Sequence, residues 1–468
     1  MKKVLLFNPP GDLIYLRQYY CSQTSKANYI YHLVDFNIIG GILTNHFDIE
    51  YLDAIVSNYN GKTCLDKIAR MDIDYIIFLT GYVSSESDLK VIQMIRDLKN
   101  VPMIAIGDIM VSRGKELLSK NEFLDAAITD FTSPDILDYL QGNFDSVSTM
   151  FYKNGKEIVC PGENKNSHIF SIPTPRHDFG IKLHYRHPFV KKYPFATVLT
   201  DYGCPYKCKF CVYSTIRYKY REISEVLEEL KYIKTLKVRD IYFLDQTFGS
   251  IKKRYMELCR RMIENNLNFD WFCFSRVDVV DDDMLLLMKK SGCHTIMFGV
   301  ESANPYILEE YQKGYDHQAI KNAFGLAHKY GIKTMGTFIL GLPEEDRESI
   351  LKTIKFSKEL KCDYASFNFA VPRIGTELRK KAVDKNLITD DNQKMDQSGS
   401  YITLNTDNIT KEEIIKLRKK AYRSFYLRPT YLLKRLTSIR SMAQLKVQLG
   451  DGIKLLQNIV LRKQLHES

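Results

Sequence analysis

The feature that most constrains the fold is a regular alternation of short apolar runs with helix-like stretches, in two blocks. In the first block the apolar runs lie at 3–7, 49–52, 74–79, 102–106 and 126–129, and helix-like segments lie at 36–45, 87–98 and 134–140. Strands that alternate with helices pair in parallel and carry helices on both faces of the sheet. Residues 1–145 are therefore predicted to form a doubly wound parallel α/β sheet. Its ligands would lie beyond the carboxyl ends of its strands.

The second block, residues 195–400, repeats this alternation more regularly. Its strand-like runs lie at 196–200, 240–244, 271–275, 295–300, 334–340 and 364–370, and its helix-like segments at 222–236, 252–265, 283–291, 317–330 and 345–360. Six β/α units are too few for a closed eight-stranded barrel. The block therefore predicts a partial (β/α)6 TIM-like barrel.

Two further regions lie outside the blocks. Residues 146–194 begin with Asn154-Gly155 between two strand-like arms, which is typical of a type I′ hairpin, and continue as a proline-marked connector. Residues 401–468 are predicted to form a small helical region, with an amphipathic stretch at 439–465. From Lys411 onward there are fourteen Lys and Arg against four Asp and Glu, or +10 of the net +11 of the chain. This basic region either packs as a helical cap on the barrel or makes peripheral contact with an anionic membrane.

The bulk sequence favours a folded cytoplasmic protein. No run of eighteen apolar residues supports a membrane span. The apolar stretch near the N-terminus has four residues before Asn8 and is too short for the core of a signal peptide. Ten cysteines in 468 residues are too sparse for a disulfide scaffold. No RNA-binding module follows the barrel, so nucleic acid is not an expected partner.

Three of the ten cysteines are clustered on one short loop, directly after the first strand of the second block. The spacing is Cys204-x3-Cys208-x2-Cys211. Three thiolates on a loop can bind three irons of a 4Fe–4S cubane and leave the fourth iron open to a substrate or cofactor. A structural zinc site is the alternative, but it needs four ligands, and no fourth Cys or His is close in sequence.

Residues 195–376 resemble the radical S-adenosylmethionine (SAM) superfamily. Besides the three cysteines, the resemblance rests on residues that follow successive predicted strands: Phe210, Asp245, Gln246, Thr247, Arg276, Glu301, Ser302 and Gly341. It implies that Phe210 lies near the adenine of SAM and that residues 245–247 bind its amino group. It also implies that Glu301 and Ser302 hydrogen-bond its ribose or methionine end. SAM would chelate the open iron, and its reductive cleavage would give a 5′-deoxyadenosyl radical.

The whole chain also resembles the group of radical SAM proteins that carries a Rossmann-like cobalamin-binding domain before the barrel. The matching strand ends contain Asn8, Pro9, Gly107 and Asp108, and these are the candidate cobalamin-contacting residues. The sequence lacks an Asp-x-His-x-x-Gly stretch, so it does not offer a lower axial histidine of that kind. His32 is interpreted as a packed or surface residue.

The two resemblances together imply cobalamin-dependent C-methylation of an unactivated carbon. Radical rearrangement or cyclisation, with or without cobalamin, remains an alternative, as does a non-catalytic iron–sulfur protein. A methylthiotransferase would need cysteines for a second cluster in its N-terminal domain, and the scattered Cys21, Cys64 and Cys160 lack that motif. The expected partners are a small-molecule, lipid or peptide substrate and an electron donor such as flavodoxin or ferredoxin.

Overall fold

The computed structural model describes residues 1–17, 19–26, 29–162, 168–389, 395–398, 404–406 and 408–438, with the backbone alone at 434–438. The amphipathic stretch predicted at 439–465 lies outside the described residues. The chain divides into two compact units. Unit 1 comprises Met1–Ser25, Ile30–His187 and Lys219–Val238, and unit 2 comprises Lys26–Tyr29, Pro188–Tyr218 and Arg239–Ser468.

The regular elements are numbered in chain order. The strands are β1 (Lys3–Asn8), β2 (Tyr15–Leu16), β3 (Gln23–Thr24), β4 (Asp48–Asp53), β5 (Tyr75–Leu79), β6 (Met103–Ile106), β7 (Ala126–Ile128), β8 (Met150–Asn154), β9 (Glu157–Val159), β10 (Phe195–Val198), β11 (Asp201–Tyr202), β12 (Lys219–Tyr220), β13 (Asp240–Phe243), β14 (Asp270–Arg276), β15 (Cys293–Glu301), β16 (Lys333–Leu340) and β17 (Tyr364–Phe369). The helices are α1 (Val34–Leu43), α2 (Gly61–Ala69), α3 (Ser85–Leu98), α4 (Asp108–Lys120), α5 (Asp135–Gln141), α6 (Ile223–Thr235), α7 (Lys252–Glu264), α8 (Asp282–Lys290), α9 (Pro305–Glu310), α10 (His317–Lys329), α11 (Arg347–Glu359), α12 (Glu377–Asp384), α13 (Lys411–Tyr426) and α14 (Pro429–Ser438).

Unit 1 is built on a seven-stranded sheet with the order β4-β1-β5-β6-β7-β8-β9. The first five strands pair in parallel, as predicted. Strands β5 and β6 read YIIFL and MIAI and are almost wholly buried, as is typical of central parallel strands. The strand order reverses between β1 and β5, so the topological switch point lies beyond the carboxyl ends of these two strands.

The predicted hairpin forms and extends this sheet as two antiparallel strands, β8 and β9. Its turn differs from the prediction by one residue. Asn154 pairs with Glu157, so the two central residues are Gly155 and Lys156. Only Gly155 has a positive φ, of 61°, which fits a type II′ turn and not the predicted type I′ turn.

Unit 2 is built on six strands in the order β10-β13-β14-β15-β16-β17. Every neighbouring pair in this sheet is parallel, and the two edge strands do not close on each other. The open six-stranded barrel predicted from the sequence is therefore confirmed.

Acidic N-caps set the starts of several helices in unit 2. The side chains of Asp281, Asp316 and Asp346 accept hydrogen bonds from backbone N–H groups in the first turns of α8, α10 and α11. Asp346 forms a capping box with Ser349, so α11 begins at Arg347 and not at the predicted residue 345. Local side-chain chemistry thus explains helix boundaries that apolar periodicity alone left approximate.

Four helices were not predicted from the periodicity of the sequence. These are α2, α4, α9 and α12, and two of them have only six and eight residues. Short helices show too few turns for a clear apolar period. Within the described residues, none of the helices has both the length and the apolar character needed to cross a membrane.

Candidate active site

The three clustered cysteines lie on the loop that follows β11 in unit 2. Gly203 starts this loop with a φ of 77°, and a Cβ there would lie 2.8 Å from the carbonyl oxygen of Arg217. A glycine is needed here because any side chain would be strained and would meet the returning backbone. Cys211 N donates to the Cys208 carbonyl at 3.0 Å, which folds the second half of the loop into a turn.

The thiols of Cys204 and Cys208 each have a polar side chain as a neighbour. Cys204 Sγ lies 3.6 Å from Thr247 Oγ1. Arg276 Nη1 donates to Cys208 Sγ at 3.5 Å. Burial raises the pKa of the Cys204 thiol, although hydrogen bonds from the Tyr206 backbone and from Thr247 oppose the rise. Without metal this thiol is protonated near neutral pH, so binding iron would release its proton.

Arg276, at the end of β14, is held in one orientation. Nε and Nη2 donate to the two carboxylate oxygens of Asp278 at 2.9 and 2.7 Å, and Nη2 also donates to the Lys313 carbonyl. Its guanidinium lies 3.8 Å from the ring centroid of Tyr206. Burial opposes the charge of Arg276, but the bonds to Asp278 keep its pKa above the usual range. The arginine therefore places a fixed positive charge beside the Cys208 thiol.

A second buried cation, Lys313, lies near the same loop. Lys313 Nζ donates to Glu301 Oε1 at 3.1 Å and lies 5.4 Å from the ring centroid of Phe210. Glu301 has a φ of 64° and follows an irregularity in the pairing of β15 with β16. Burial opposes the charge of Lys313, but Tyr315 and Glu301 hold its pKa well above the ordinary value. The pair brings a carboxylate, an ammonium and an aromatic face together.

The residues after β13 have separate roles. Asp245 is fully buried and accepts hydrogen bonds from Thr200 N at 2.6 Å, Thr200 Oγ1 at 2.7 Å and Tyr255 Oη at 3.2 Å. Gln246 Nε2 donates to the Leu244 carbonyl at 3.2 Å. Of the three predicted SAM-binding residues in this segment, Thr247 is the one that reaches the cysteine loop.

Ser302 and Gly341 organise the backbone at the ends of β15 and β16. Ser302 Oγ accepts from Asn304 N at 3.1 Å, just before α9. Gly341 has a φ of 87°, and its N–H donates to Glu345 Oε2 at 2.8 Å. Burial raises the pKa of Glu345 to about 8, although hydrogen bonds from Leu342 and Gly341 oppose the rise.

In unit 1, the predicted residues after β1 are bound to neighbouring side chains. Asn8 Nδ2 donates to Asp53 Oδ1 at 2.9 Å. The guanidinium of Arg17 donates to Asn8 Oδ1 at 2.8 Å, to the Pro9 carbonyl at 2.9 Å and to the buried carboxylate of Asp88. The guanidinium of Arg17 therefore bonds two of the oxygen atoms at the switch point, those of the Asn8 side chain and the Pro9 carbonyl.

The predicted residues after β6 are also bound within unit 1. Asp108 Oδ2 accepts from Ser22 N at 2.8 Å and Ser22 Oγ at 2.7 Å, and Oδ1 accepts from Tyr82 N at 3.1 Å. Gly107 has a φ of 142°, and a Cβ there would lie 1.7 Å from the Thr80 carbonyl oxygen. The donor set of these residues does not by itself select cobalamin, and their role as cobalamin contacts stays a prediction.

Sequence patterns did not identify Lys313 or Arg17 as parts of these arrangements. Both lie in segments without a clear period, and the folded chain places them beside distant partners. The sequence carried a weak signal in each case, because a lone basic residue next to tyrosines suggests cation–π contacts. His32 is buried, with its ring centroid 4.3 Å from that of Tyr185, in line with its interpretation as a packed histidine.

Comparison with known proteins places the chain in a family. The profile of the Radical SAM superfamily matches residues 198–357, which contain the cysteine loop. The uncharacterized methyltransferase PH0819 of Pyrococcus horikoshii is 31% identical over 412 residues, covering 85% of this chain and 88% of that protein. The chain belongs to the radical SAM superfamily.

Two solved structures share the fold of this radical SAM protein. TsrM from Kitasatospora setae, a radical S-adenosylmethionine methyltransferase with cobalamin and a 4Fe–4S cluster bound, has a TM-score of 0.66 at 16% identity, covering 82% of this chain and 78% of that one. OxsB, a cobalamin-dependent S-adenosylmethionine radical enzyme, has a TM-score of 0.69 at 15% identity, covering 97% and 72%. The predicted fold class is confirmed.

The cysteine loop of this radical SAM protein supplies three free thiols as candidate ligands of a cluster. Within the described part of the chain, no three His, Cys, Asp or Glu side chains converge as a mononuclear site would require. A cubane binds each thiolate through a different iron, so its cysteines need not converge on one point. The cationic Arg276 next to Cys208 also suits an anionic thiolate.

The buried Glu345 predicts a specific pH dependence of stability. Its pKa is about 8 when folded, against an ordinary value of 4.5, so unfolding releases a proton between these values and stability falls as pH rises through this window. In Glu345→Gln the amide oxygen can still accept from Gly341, and the side chain never ionises. As the pH rises from 5 to 8, we expect the free energy of unfolding of the variant to rise relative to that of the wild type by on the order of 3 kcal/mol.

Urea unfolding followed by the fluorescence of Trp271, the single tryptophan of the chain, measures this effect within unit 2. Glu348→Gln is the matched control, because the Glu348 side chain is 74% exposed and its change should leave the pH profile unaltered. Parallel pH profiles for the wild type and Glu345→Gln would show that the buried carboxyl does not govern this dependence.

Proposed function

We propose that the protein cleaves SAM reductively at a 4Fe–4S cluster held by Cys204, Cys208 and Cys211. In this proposal, the resulting radical serves cobalamin-dependent methylation of an unactivated carbon. The observation that carries the first half is the three-thiol loop, with Thr247 and Arg276 each against one thiol. When bound, the reduced cluster would supply the electron that breaks a carbon–sulfur bond of SAM.

The side chains around the loop have complementary roles in this proposal. Glu301 and Lys313 supply a carboxylate and an ammonium for the polar end of SAM, and the nearby Phe210 ring supplies an apolar face for the adenine. Asp245 acts as a positioning residue, because its hydrogen bonds are made to Thr200 and Tyr255. Both cofactor-facing charges are buried, so water is largely excluded from them.

The methylation half of the proposal is supported by the order of the two units and by the relatives. A β/α sheet precedes the partial barrel, and the same fold occurs in TsrM and OxsB, whose structures contain cobalamin. PH0819 of Pyrococcus horikoshii, which matches over most of both chains, is named an uncharacterized methyltransferase. When bound, cobalamin would supply a methyl group for transfer to a carbon radical. A small-molecule substrate and a low-potential donor such as flavodoxin or ferredoxin would complete the reaction.

A second candidate is a radical SAM reaction without cobalamin, in which unit 1 is a scaffold or contacts the substrate. One observation favours it. The guanidinium of Arg17 lies at the switch point of unit 1, where it bonds Asn8, Pro9 and Asp88, so these groups already have partners within the chain.

The cysteines provide the direct test of SAM cleavage. We expect the alanine variant of each of Cys204, Cys208 and Cys211 to lose the cluster absorption and all formation of 5′-deoxyadenosine, because each removes one of three ligands. Cys160→Ala is the matched control, since Cys160 is exposed and lies in unit 1. Retained cleavage in any of the three variants would contradict the assignment of the cluster.

Cobalamin is tested separately by anaerobic reconstitution with iron, sulfide and hydroxocobalamin, followed by removal of free ligand. The proposal predicts stoichiometric cobalamin absorption beside the cluster band in the ultraviolet–visible spectrum. A cluster band without retained cobalamin would remove the methylation half of the proposal and favour the second candidate.

A further inference from the structure

Lys26 belongs to unit 2, although the residues before it belong to unit 1. Its Nζ donates to Ser366 Oγ at 3.2 Å and to Asn368 Oδ1, and both of these acceptors lie on β17. Two of its hydrogen bonds are therefore made to neutral oxygens on one strand of the partial barrel. Nothing in the cluster site described above involves this lysine.

Ser366 and Asn368 lie on the concave face of the sheet. The alternate residue Phe367 points the other way, because its ring packs against Tyr422 on α13 and against Phe338 on β16. Side chains alternate along a strand, so Ser366 and Asn368 face away from this helix. Both are partly exposed, whereas the alternate residues are buried.

The register of the strands shows that the same face of the sheet extends to the proposed SAM site. Ser366 pairs with Thr337 on β16, and Thr337 pairs with Gly299 on β15. A Cβ on Gly299 would lie 2.6 Å from Glu301 Oε1 and 3.6 Å from Lys313 Nζ, so that ion pair is on the same face. Two strand spacings are about 10 Å, so Ser366, which Lys26 bonds, lies about 10 Å across the concave face from Gly299, which adjoins the Glu301–Lys313 pair.

The charges around Lys26 favour an anionic ligand. Burial lowers the pKa of Lys26 to about 7, the positive charge of Arg418 lowers it further, and Asp396 opposes the shift. Arg418 lies 4.4 Å from the ring centroid of Phe369, at the carboxyl end of the same strand. An anion placed beside Lys26 would offset the repulsion between the two cations and would favour the charged form of the lysine.

We propose that Lys26 recognises an anionic group, a carboxylate or a phosphoryl group, on the substrate that receives the radical. This inference rests on the proposed function, because it places the substrate on the concave face opposite the SAM site. The substrate class is thereby narrowed to acidic molecules.

The test is the rate at which acetic anhydride acetylates Lys26 in the full-length protein loaded with cluster and SAM. Mass spectrometry measures this rate in the presence of inorganic phosphate, of acetate and of chloride, each at equal ionic strength and pH 7. An anion that raises the pKa of Lys26 by one unit should slow its acetylation about fivefold relative to chloride. A response to phosphate points to a phosphoryl group, and a response to acetate points to a carboxylate. Lys355 is the internal control, because its side chain is 78% exposed.

Variants provide a second measurement. The effective anion should raise the unfolding temperature of the wild type and of Lys355→Met, since it binds the folded state. Lys26→Met, with its folding checked by cluster absorption, should lose this rise, and Lys26→Arg should restore it.

The proposal is overturned if acetylation of Lys26 in phosphate and in acetate equals that in chloride while the same preparation forms 5′-deoxyadenosine. If no 5′-deoxyadenosine forms, the proposed function fails, and the acetylation rates still decide whether Lys26 binds an anion. The two failures are therefore distinguishable.

Discussion

The carboxylate of Asp245 ties the end of β13 to the end of β10 and so determines where the cysteine loop begins. It accepts hydrogen bonds from the backbone N–H groups of Thr200 and Asp201 and from the hydroxyls of Thr200 and Tyr255. Cys204 follows Asp201 by three residues, so its position depends on this carboxylate. Because the acid is fully buried, loss of its partners would leave an uncompensated polar group in the core of unit 2.

Positive charge lies beside the thiols at the carboxyl ends of the strands of unit 2. Arg276 donates to the Cys208 sulfur, and a thiolate at Cys208 would stabilise the protonated form of the nearby Lys313. A cluster held by three thiolates gains negative charge when it is reduced, and the charges and hydrogen bonds around it set its potential. The two buried cations would therefore favour the reduced state that SAM cleavage requires. Their fixed geometry follows from Asp278 and Glu301, which pair with them.

The parts of the site that could be predicted are those whose signal is local in sequence. The spacing of the three cysteines is contained in eight residues, and the strand ends follow from apolar runs. The orientation of Asp245 and Ser302 could not be predicted, because a position at a strand end does not show whether a side chain faces a ligand or the protein. Three basic residues were not predicted, because only the folded backbone brings them next to partners such as Arg276, Asp88 and Asn368. These residues are Lys313, Arg17 and Lys26.

The predicted and observed folds differ where cross-strand pairing or a side-chain hydrogen bond sets the boundary of an element. The hairpin was predicted from Asn154-Gly155, but cross-strand pairing placed the turn at Gly155 and Lys156. The start of α11 was shifted by the Asp346 capping box, a side-chain hydrogen bond that apolar periodicity does not register. The strongly apolar strands β5 and β6 were predicted within one residue, since burial on both faces leaves little choice of residue type.

In the proposed site, three protein thiolates would leave one iron of the cluster open to SAM. Electron paramagnetic resonance of the reduced cluster, recorded before and after SAM is added, tests it most directly. Binding of the amino and carboxylate groups of SAM to the open iron predicts a clear change in the spectrum. An unchanged spectrum at saturating SAM would contradict the proposed site, because it would show that no iron of the cluster accepts the cofactor.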